Sequence, residues 1–540
     1  MGIMDSWDAI FVGSGINALV GAAILAKAGW TVCVLERNSW IGGNIRTAEV
    51  TEPRFLHDLY SGWHPLFTSS EAYTLLRSDL ETHGLIYLNT EYPTAALFPD
   101  GQSVFLSTSP QENIAHFETL ASGDGESWNR AVQDFMSHAD LGFGLLGTDL
   151  WSWGGLKFLA KGFRQLGVEG TLDFSSQLLG SSRSWLTTTF QSPRIHGLLA
   201  PWVLHTGLGP DSAGSGFMNL LIAVALQLGG MPVPRGGGAQ LVDGLTAIIR
   251  AHGGELYTDC HVDSLEINGQ SVVGVRANGQ GFRANKAVIC SVTPQQLYLH
   301  LLPNAIVPEA AKQKARRFRF GRGDMQIHVA LSEPPKWPGD TDKLLRTAMV
   351  HVTTGLDGVS SAVNEAERGL LPGRPTIVVG QPTAVDPSRA PAGTWILWIQ
   401  LQELPSSPTG DALGRIQTDG TWSERVRDEF ADRVISRLGE LIPNLDSAMR
   451  KRFVISPADL ARVNINLVGG DPYAGSCALD QFLIWRPLPG MPRHRTSIKN
   501  LYHIGASTHP GPGLHGASGL MVAKELLGAR CYKKVGGKRT

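Results

Sequence analysis

Asp8-Ala9-Ile10-Phe11-Val12-Gly13-Ser14-Gly15-Ile16-Asn17-Ala18 is the stretch on which the architecture turns. Its apolar run, Ala9 to Val12, does not alternate with polar residues, as expected of a parallel strand buried on both faces. Gly13 permits a tight turn, and Gly15 lets the backbone approach a pyrophosphate. Ala18 stands where a third glycine is common and keeps the next helix close to the strand. Ile16 and Asn17 open that helix, whose free N–H groups and dipole attract a diphosphate. The helical pattern runs through Ala28, and Gly29 suits the position just beyond a helix C-terminus. Thr31 to Leu35 then reads as a second strand. It ends at Glu36, about twenty residues past the glycines, where an acid accepts both hydroxyls of a ribose. Strand, glycine turn, helix, strand and acid in this order form a Rossmann-type α/β unit.

The chain carries a decoy. Gly142-Phe143-Gly144-Leu145-Leu146-Gly147 has the same glycine spacing. It follows Met136 to Asp140, which is not a strand, and no acid-ended strand comes after it, so it reads as helix or loop.

Residues beyond Glu36 extend the site. Arg37 is followed by Ile41-Gly42-Gly43-Asn44-Ile45-Arg46-Thr47. A second glycine pair lets the chain pass close to a long, extended cofactor, and Arg46 can neutralise a phosphate. A nicotinamide site needs no such segment, so the pattern favours FAD. Taken alone, it is equally a loop with a chance glycine pair.

With these residues in view, the sequence from Gly13 to Thr47 resembles the opening motif of phytoene desaturase and amine oxidase-like flavoproteins. Two further segments carry the resemblance. Pro234-Arg235-Gly236-Gly237-Gly238 precedes an amphipathic helix and then Gly253-Gly254-Glu255-Leu256 and Val262-Asp263-Ser264-Leu265. Leu501 to Gly519, containing Gly505-Ala506-Ser507-Thr508-His509-Pro510-Gly511-Pro512-Gly513, is similar to the C-terminal flavin motif of phytoene desaturases. About a third of the chain carries the likeness strongly; the rest agrees only in layout. Asp58 to Leu66 and Pro234 to Gly237 point to the subset of carotenoid ketolases and pyridine nucleotide-disulfide oxidoreductase-like proteins. The resemblance implies that Val262 meets an adenine through its backbone. It implies that Gly505, Ala506 and Ser507 end a strand beside the ribityl and pyrophosphate groups. Gly516 and Ala517 would open a helix whose N–H groups face the flavin's pyrimidine carbonyls, where they stabilise negative charge. Pro512 departs from the family's unbroken glycine run.

The cofactor segments lie far apart, so the expected architecture is α/β with a discontinuous FAD-binding domain at 1–75, 230–300 and 495–530. Residues 76–229 read as a mainly helical substrate or lid region. Residues 301–494 read as an inserted α+β substrate region, with strands at Ile377 to Gly380 and Trp395 to Leu401. Thr421-Trp422-Ser423-Glu424 has capping-box form, and Val426, Phe430, Val434 and Leu438 make a helical core stripe. Residues 531–540 form a basic tail.

The 540 residues are 42% hydrophobic and 18% charged, with a net charge of −1, as in a globular protein without a polyanionic partner. The one basic cluster, Arg530, Lys533, Lys534, Lys538 and Arg539, reads as a solvated terminus rather than a nucleic-acid site. Cys33, Cys260, Cys290, Cys477 and Cys531 lack metal-ligand spacing, which suits a reducing, cytoplasmic compartment and no metal. The N-terminus lacks signal-peptide form, and the most apolar stretch, Phe217 to Leu228, is shorter than the ~20 residues of a membrane span. Around Leu150 to Leu166, Trp151, Trp153, Leu156, Phe158, Leu159 and Phe163 mix with Lys157, Lys161 and Arg164. That composition suits a helix lying on a membrane surface. A helix docked on its own domain is the simpler reading, because Gly154-Gly155 weakens it as an independent helix.

For chemistry, the cofactor performs the hard step and the protein orients. His64, His509 and Arg235 are the candidate acid/base or charge-stabilising groups, each equally able to orient backbone or phosphate. His205 is a candidate for the substrate side, or a satisfied structural histidine. No GxSxG occurs in a hydrolase context. The resemblance implies hydride removal from a hydrophobic, isoprenoid or carotenoid-like molecule. The rivals are a flavin amine oxidase, for which Trp485 and Tyr502 are the available aromatic pair, and a flavin-binding protein without catalysis. With no second nucleotide fingerprint, oxygen or a membrane quinone is the expected electron acceptor.

Overall fold

In the computed structural model, residues 6–535 are described. The opening strand, Ser6–Val12, lies in the middle of a seven-stranded sheet. It pairs in parallel with Val32–Leu35 on one side and Gln280–Ser291 on the other. Glu255–Tyr257 extends the first flank, and Leu501–Ile504 joins Gln280–Ser291, again in parallel. Val262–Asn268 and Ser271–Ala277 complete the sheet as an antiparallel meander. The sheet is thus assembled from three distant stretches of chain.

The parallel strands are buried on both faces, as their unbroken apolar character requires. Helix Ile16–Lys27 packs over them with Ala18 to Ala26 all buried. Its small residues admit a close neighbour, the C-terminal helix beginning at Ala517. A Cβ on Gly519 would lie 1.8 Å from the Asn17 carbonyl oxygen, so only glycine allows this crossing. Gly29 is left-handed, with φ of 86°, and ends the first helix as its position implies.

The second sheet has the order Met449–Ile455, Gly323–Leu331, Trp395–Leu404, Ile377–Gly380, Thr347–Val352, Tyr92–Leu97, Ser103–Leu106. Its last two strands come from the stretch expected to be mainly helical. One face is covered by helix Glu424–Gly439, whose Val426, Phe430, Val434 and Leu438 are fully buried. Each contributes up to about 1.5–3 kcal/mol by leaving water. The cap of this helix is Ser423, whose hydroxyl accepts from the Val426 N–H; the Thr421 hydroxyl instead bonds Asp419. The capping box expected from Thr421 to Glu424 does not form: the N-cap lies two residues further on, and Val426 at its third position has no acceptor to return the bond.

Helices between Pro110 and Gly229 form a third layer. The decoy glycines lie in helix Ala139–Gly147, where a Cβ on Gly144 would strike the Phe158 ring at 2.4 Å. Their role is close helix packing. Helix Trp153–Leu179, broken at Gly167, docks along one edge, with Gly155 and Gly162 buried, Phe158 against Gly144 and the Phe174 ring 6.1 Å from Phe217, while most of its other side chains stay exposed. The C-terminal helix continues to Val535, past the expected start of the basic tail. Lys538 and Arg539 lie outside the described residues, as do the side chains of Arg530, Lys533 and Lys534. No helix among the described residues is long and apolar enough to cross a membrane, and none of their acidic, histidine and cysteine side chains form a metal-binding cluster.

Candidate functional site

A cavity of about 1160 Å³ runs between the two sheets and the helical layer. Its volume exceeds the roughly 300–1,000 Å³ typical of a one-ligand pocket, leaving room for a cofactor and a substrate. One end is lined by Gly13, Ser14, Gly15, Ile16, Asn17 and Glu36. Gly13 has φ of 90°, and its Cβ position is closed off by the Ser291 carbonyl oxygen at 3.3 Å. Gly15 caps the helix without a side-chain bond, leaving the N-terminal N–H groups for a ligand.

Glu36 is buried and held from three sides. Its carboxylate accepts from Ser14 N–H at 3.0 Å, the Ser14 hydroxyl at 2.7 Å and Asn38 N–H at 2.9 Å. Two carboxylate oxygens have about four acceptor positions, so the group stays competent to accept from a ribose. The Ser14 hydroxyl also accepts from Gly42 N–H at 3.0 Å. A Cβ on Gly43 would sit 3.1 Å from Gly15 Cα. The second glycine pair therefore closes directly onto the first turn, which explains its place in the sequence.

Arg37, Gly42, Gly43 and Asn44 line the same end of the cavity, as do Cys260 to Asp263, including Val262. Arg46 does not. Its guanidinium stacks 3.9 Å over the Trp40 ring, which removes it from the phosphate-neutralising position expected of it. Gly505, Ala506, Ser507 and Ala517 line the cavity further along; Gly516 lies behind the wall, where its φ of 69° and contact with Val20 require glycine. The Ala517 and Ser518 N–H groups are engaged inside the protein, by His515 Nδ1 at 2.9 Å and Asn17 Oδ1 at 3.2 Å. The open face of that helix is thus narrower than expected.

None of the three acid/base candidates lines the cavity. His64 is fully buried with Nδ1 on the Tyr87 hydroxyl at 2.9 Å, and burial lowers it to about 4. His509 has Nε2 on the Thr148 carbonyl at 2.8 Å and is also lowered to about 4, chiefly by burial. Arg235 is exposed. Its segment serves another purpose: Gly238 N–H donates to Asp58 Oδ1, and a Cβ on Gly237 would collide with Thr47 Oγ1 at 2.4 Å. Asp58 also holds Arg389 at 2.8 Å in a fully buried ion pair. The two segments singled out as a subset signature are in contact and fasten the inserted region to the first sheet. Trp485 and Tyr502 are likewise absent from the cavity wall, so they form no aromatic cage there.

His205 does line the cavity. It stacks on Trp202 with ring centroids 4.6 Å apart, and its Nε2 lies 3.1 Å from His351 Nε2. Burial lowers it to about 3, so it is neutral at physiological pH. His515, which the sequence reading passed over, also faces the cavity and is lowered to about 4 by burial. The larger omission is Asp324, Gln326, Gln400 and Gln402 on two paired strands of the second sheet. The signal was present: alternating polar residues, D-x-Q and Q-x-Q, interrupt two otherwise apolar strands.

The fold is shared with solved oxidoreductases. An oxidoreductase from Methanosarcina mazei superposes with a TM-score of 0.61 at 16% identity, covering 96% of this chain and 99% of that one. Residues 19–527 match the flavin containing amine oxidoreductase family. The chain belongs to that family. Among curated relatives, pyridine nucleotide-disulfide oxidoreductase domain-containing protein 2 of Rattus norvegicus is 27% identical over 559 residues, 96% of this chain and 93% of its own. A component of the limonene dehydrogenase of Castellaniella defragrans is 24% identical over 551 residues, with 96% and 94% covered. The lycopene-forming phytoene desaturase of a Paracoccus species is 26% identical over 337 residues, 62% of each chain. This member of the flavin amine oxidoreductase family is an FAD-dependent oxidoreductase, with phytoene desaturase-like relatives, as its glycine turns implied. The glycine cradle with its buried Glu36 fits FAD: Gly13 and Gly43 leave little space for a side chain, and one acid stands ready for a ribose.

Proposed function

We propose that this flavoprotein removes hydride from an apolar, isoprenoid-like molecule held in the cavity beside the flavin. The observation that carries the reading is the cavity's second half. Beyond the cofactor end its wall is built from Leu221, Ile222, Leu226, Met218 and Met349, with Trp202 and Trp398. Such a surface selects for apolar area and offers little to a small cation. The names of two relatives, limonene dehydrogenase and phytoene desaturase, favour the same substrate class. FAD, when bound, supplies the two-electron acceptor. Gly13, Gly15, Glu36, Arg37, Gly42, Gly43, Asn44 and Val262 hold its adenosine diphosphate half, and Gly505 to Ser507 with Ala517 adjoin its flavin half. The chain's apolar wall then excludes water and orients the C–H bond.

The route in is a membrane surface. Leu66, Phe143 and Leu228 line the cavity and are also exposed, at 41%, 41% and 57%, which marks its mouth. The neighbouring helix Trp153–Leu179 presents Trp153 at 76%, Phe163 at 53% and Leu172 at 66% exposure. Lys157, Lys161 and Arg164 on the same helix are exposed and outside every ion pair among the described residues. Exposed aromatic, aliphatic and basic side chains on one helix match an anionic lipid interface. Electrons leave to oxygen or a quinone.

The test is anaerobic mixing of the purified yellow protein with an isoprenoid hydrocarbon or polyene in liposomes, and separately with primary amines. Bleaching of the flavin by the former alone is expected. Bleaching by amines alone overturns the substrate assignment, and bleaching by neither favours a non-catalytic flavoprotein.

A further inference from the structure

Beyond the cofactor end the cavity wall is largely apolar, and a polar cluster interrupts it on the second sheet. There, Gly323–Leu331 and Trp395–Leu404 run antiparallel with Gln326 opposite Gln400, and the period-two alternation brings Asp324, Gln326, Gln400 and Gln402 to the cavity face. Asp324 is 2% exposed. Its Oδ2 accepts from Gln326 Nε2 at 3.0 Å and Gln400 Nε2 at 2.8 Å. Gln402 Nε2 donates to the Tyr473 hydroxyl at 2.9 Å, and that hydroxyl donates onward to the Leu204 carbonyl at 2.8 Å. Gln326 and Gln400 thus spend one amide N–H each on Asp324 and keep a second. Three acceptors, Asp324 Oδ1, Gln326 Oε1 and Gln402 Oε1, are buried without a partner. Buried polar atoms in native proteins are ordinarily paired, and here what is missing is a donor.

The cluster is also tied to the flavin segment. Tyr473 is followed by Ala474, whose carbonyl accepts the Ser507 hydroxyl at 2.7 Å. A group bound at Asp324 thus sits on the same stretch of wall that supports Gly505 to Ser507.

We propose that Asp324, Gln326 and Gln402 form a recognition subsite for the hydroxyl group of an otherwise apolar substrate. This deepens the reading of the cavity as a substrate site and rests on it. A hydroxyl donates one proton and accepts on its lone pairs, which suits open acceptors beside the second N–H groups of Gln326 and Gln400. An ammonium suits the cluster less well: it cannot accept from those N–H groups, the one carboxylate of these strands that lines the cavity, Asp324, is already shared by two amides, and a buried cation needs fuller pairing.

The discriminating probes are decanol, its methyl ether and decylamine, which share one tail and differ in the head group. Trp202 and Trp398 line the cavity, so tryptophan fluorescence reads binding without turnover. At about pH 8.5, above the raised titration of Asp324, the purified full-length chain should bind decanol roughly tenfold or more tightly than the ether, the yield of one good hydrogen bond to a charged group. Asp324→Leu should abolish that preference and leave ether binding unchanged. Gln402→Leu should reduce the preference, and it carries the test if the first variant fails to fold. Equal binding of decanol and ether by the wild type overturns the proposal and leaves the cluster as a water site. Tighter binding of decylamine than decanol overturns it in favour of an ammonium subsite. Flavin absorbance read on the same samples separates the two levels. A yellow protein that is bleached by an apolar donor yet ignores the hydroxyl sinks only this inference. A protein that is bleached by nothing sinks the proposed function.

Discussion

The two ends of the cavity are built by opposite methods. At the cofactor end the wall is largely backbone: Gly13 makes the turn, Gly15 caps a helix whose first N–H groups are left open, Gly43 packs on Gly15, and one carboxylate, Glu36, completes the set. At the other end it is side chain, with Asp324 and the glutamines projecting from strands more than seventy residues apart in sequence into an apolar space. The difference follows from the ligands proposed for the two ends. A diphosphate is met by aligned peptide dipoles, which need glycine at fixed spacing and little else. A hydrocarbon is met by shape and area, which many side-chain combinations supply. The cofactor end is therefore rigid in sequence, and the substrate end is free to vary.

This contrast can be broken first at its most rigid point. Gly519→Ala places a methyl group 1.8 Å from the Asn17 carbonyl, where backbone cannot yield cheaply. A loss on the order of 4 kcal/mol or more, with colourless protein, is expected in thermal melts and flavin absorbance. If Gly519→Ala purifies yellow and melts like wild type, the backbone-lined end is less constrained than the geometry states. The seam between the halves comes next. Asp58→Ala leaves Arg389 buried without its partner and should cost about 3–5 kcal/mol, read by denaturant unfolding. Glu36→Ala should weaken FAD by about 1.5–3 kcal/mol in a flavin titration, while cavity binding of an apolar probe persists. Equal loss at both ends would mean that the halves are not separable.

The substrate end gives the gentlest effect. Burial, opposed by the two glutamine donors, raises Asp324 from its ordinary 3.8 to about 7. Between those values the folded chain keeps a proton that the unfolded chain has released. Raising the pH through this window therefore withdraws stability, by at most about 1.4 kcal/mol per pH unit. Asp324→Asn should remove that slope, so the variant gains on the wild type from pH 4 to 7 and no further. Glu403, raised to about 8 by burial, adds the same background to both proteins and cancels in the difference. Parallel stability curves would place Asp324 in a wetter setting than its burial implies.

The cofactor end was legible in the amino acids alone. The opening strand, the glycine turn, Glu36 and the second glycine pair could be read because backbone demands leave a local signature, whereas Gly505 to Ser507 entered through the family resemblance. Which histidines face the cavity emerged with the folded chain. His64 and His509 adjoin recognisable motifs but turn into the protein, whereas His205 and His515 face inward to the cavity. Folding also paired the strands that gather Asp324, Gln326, Gln400 and Gln402, because strand register is fixed by non-local hydrogen bonds and a shift of one residue would turn all four the other way.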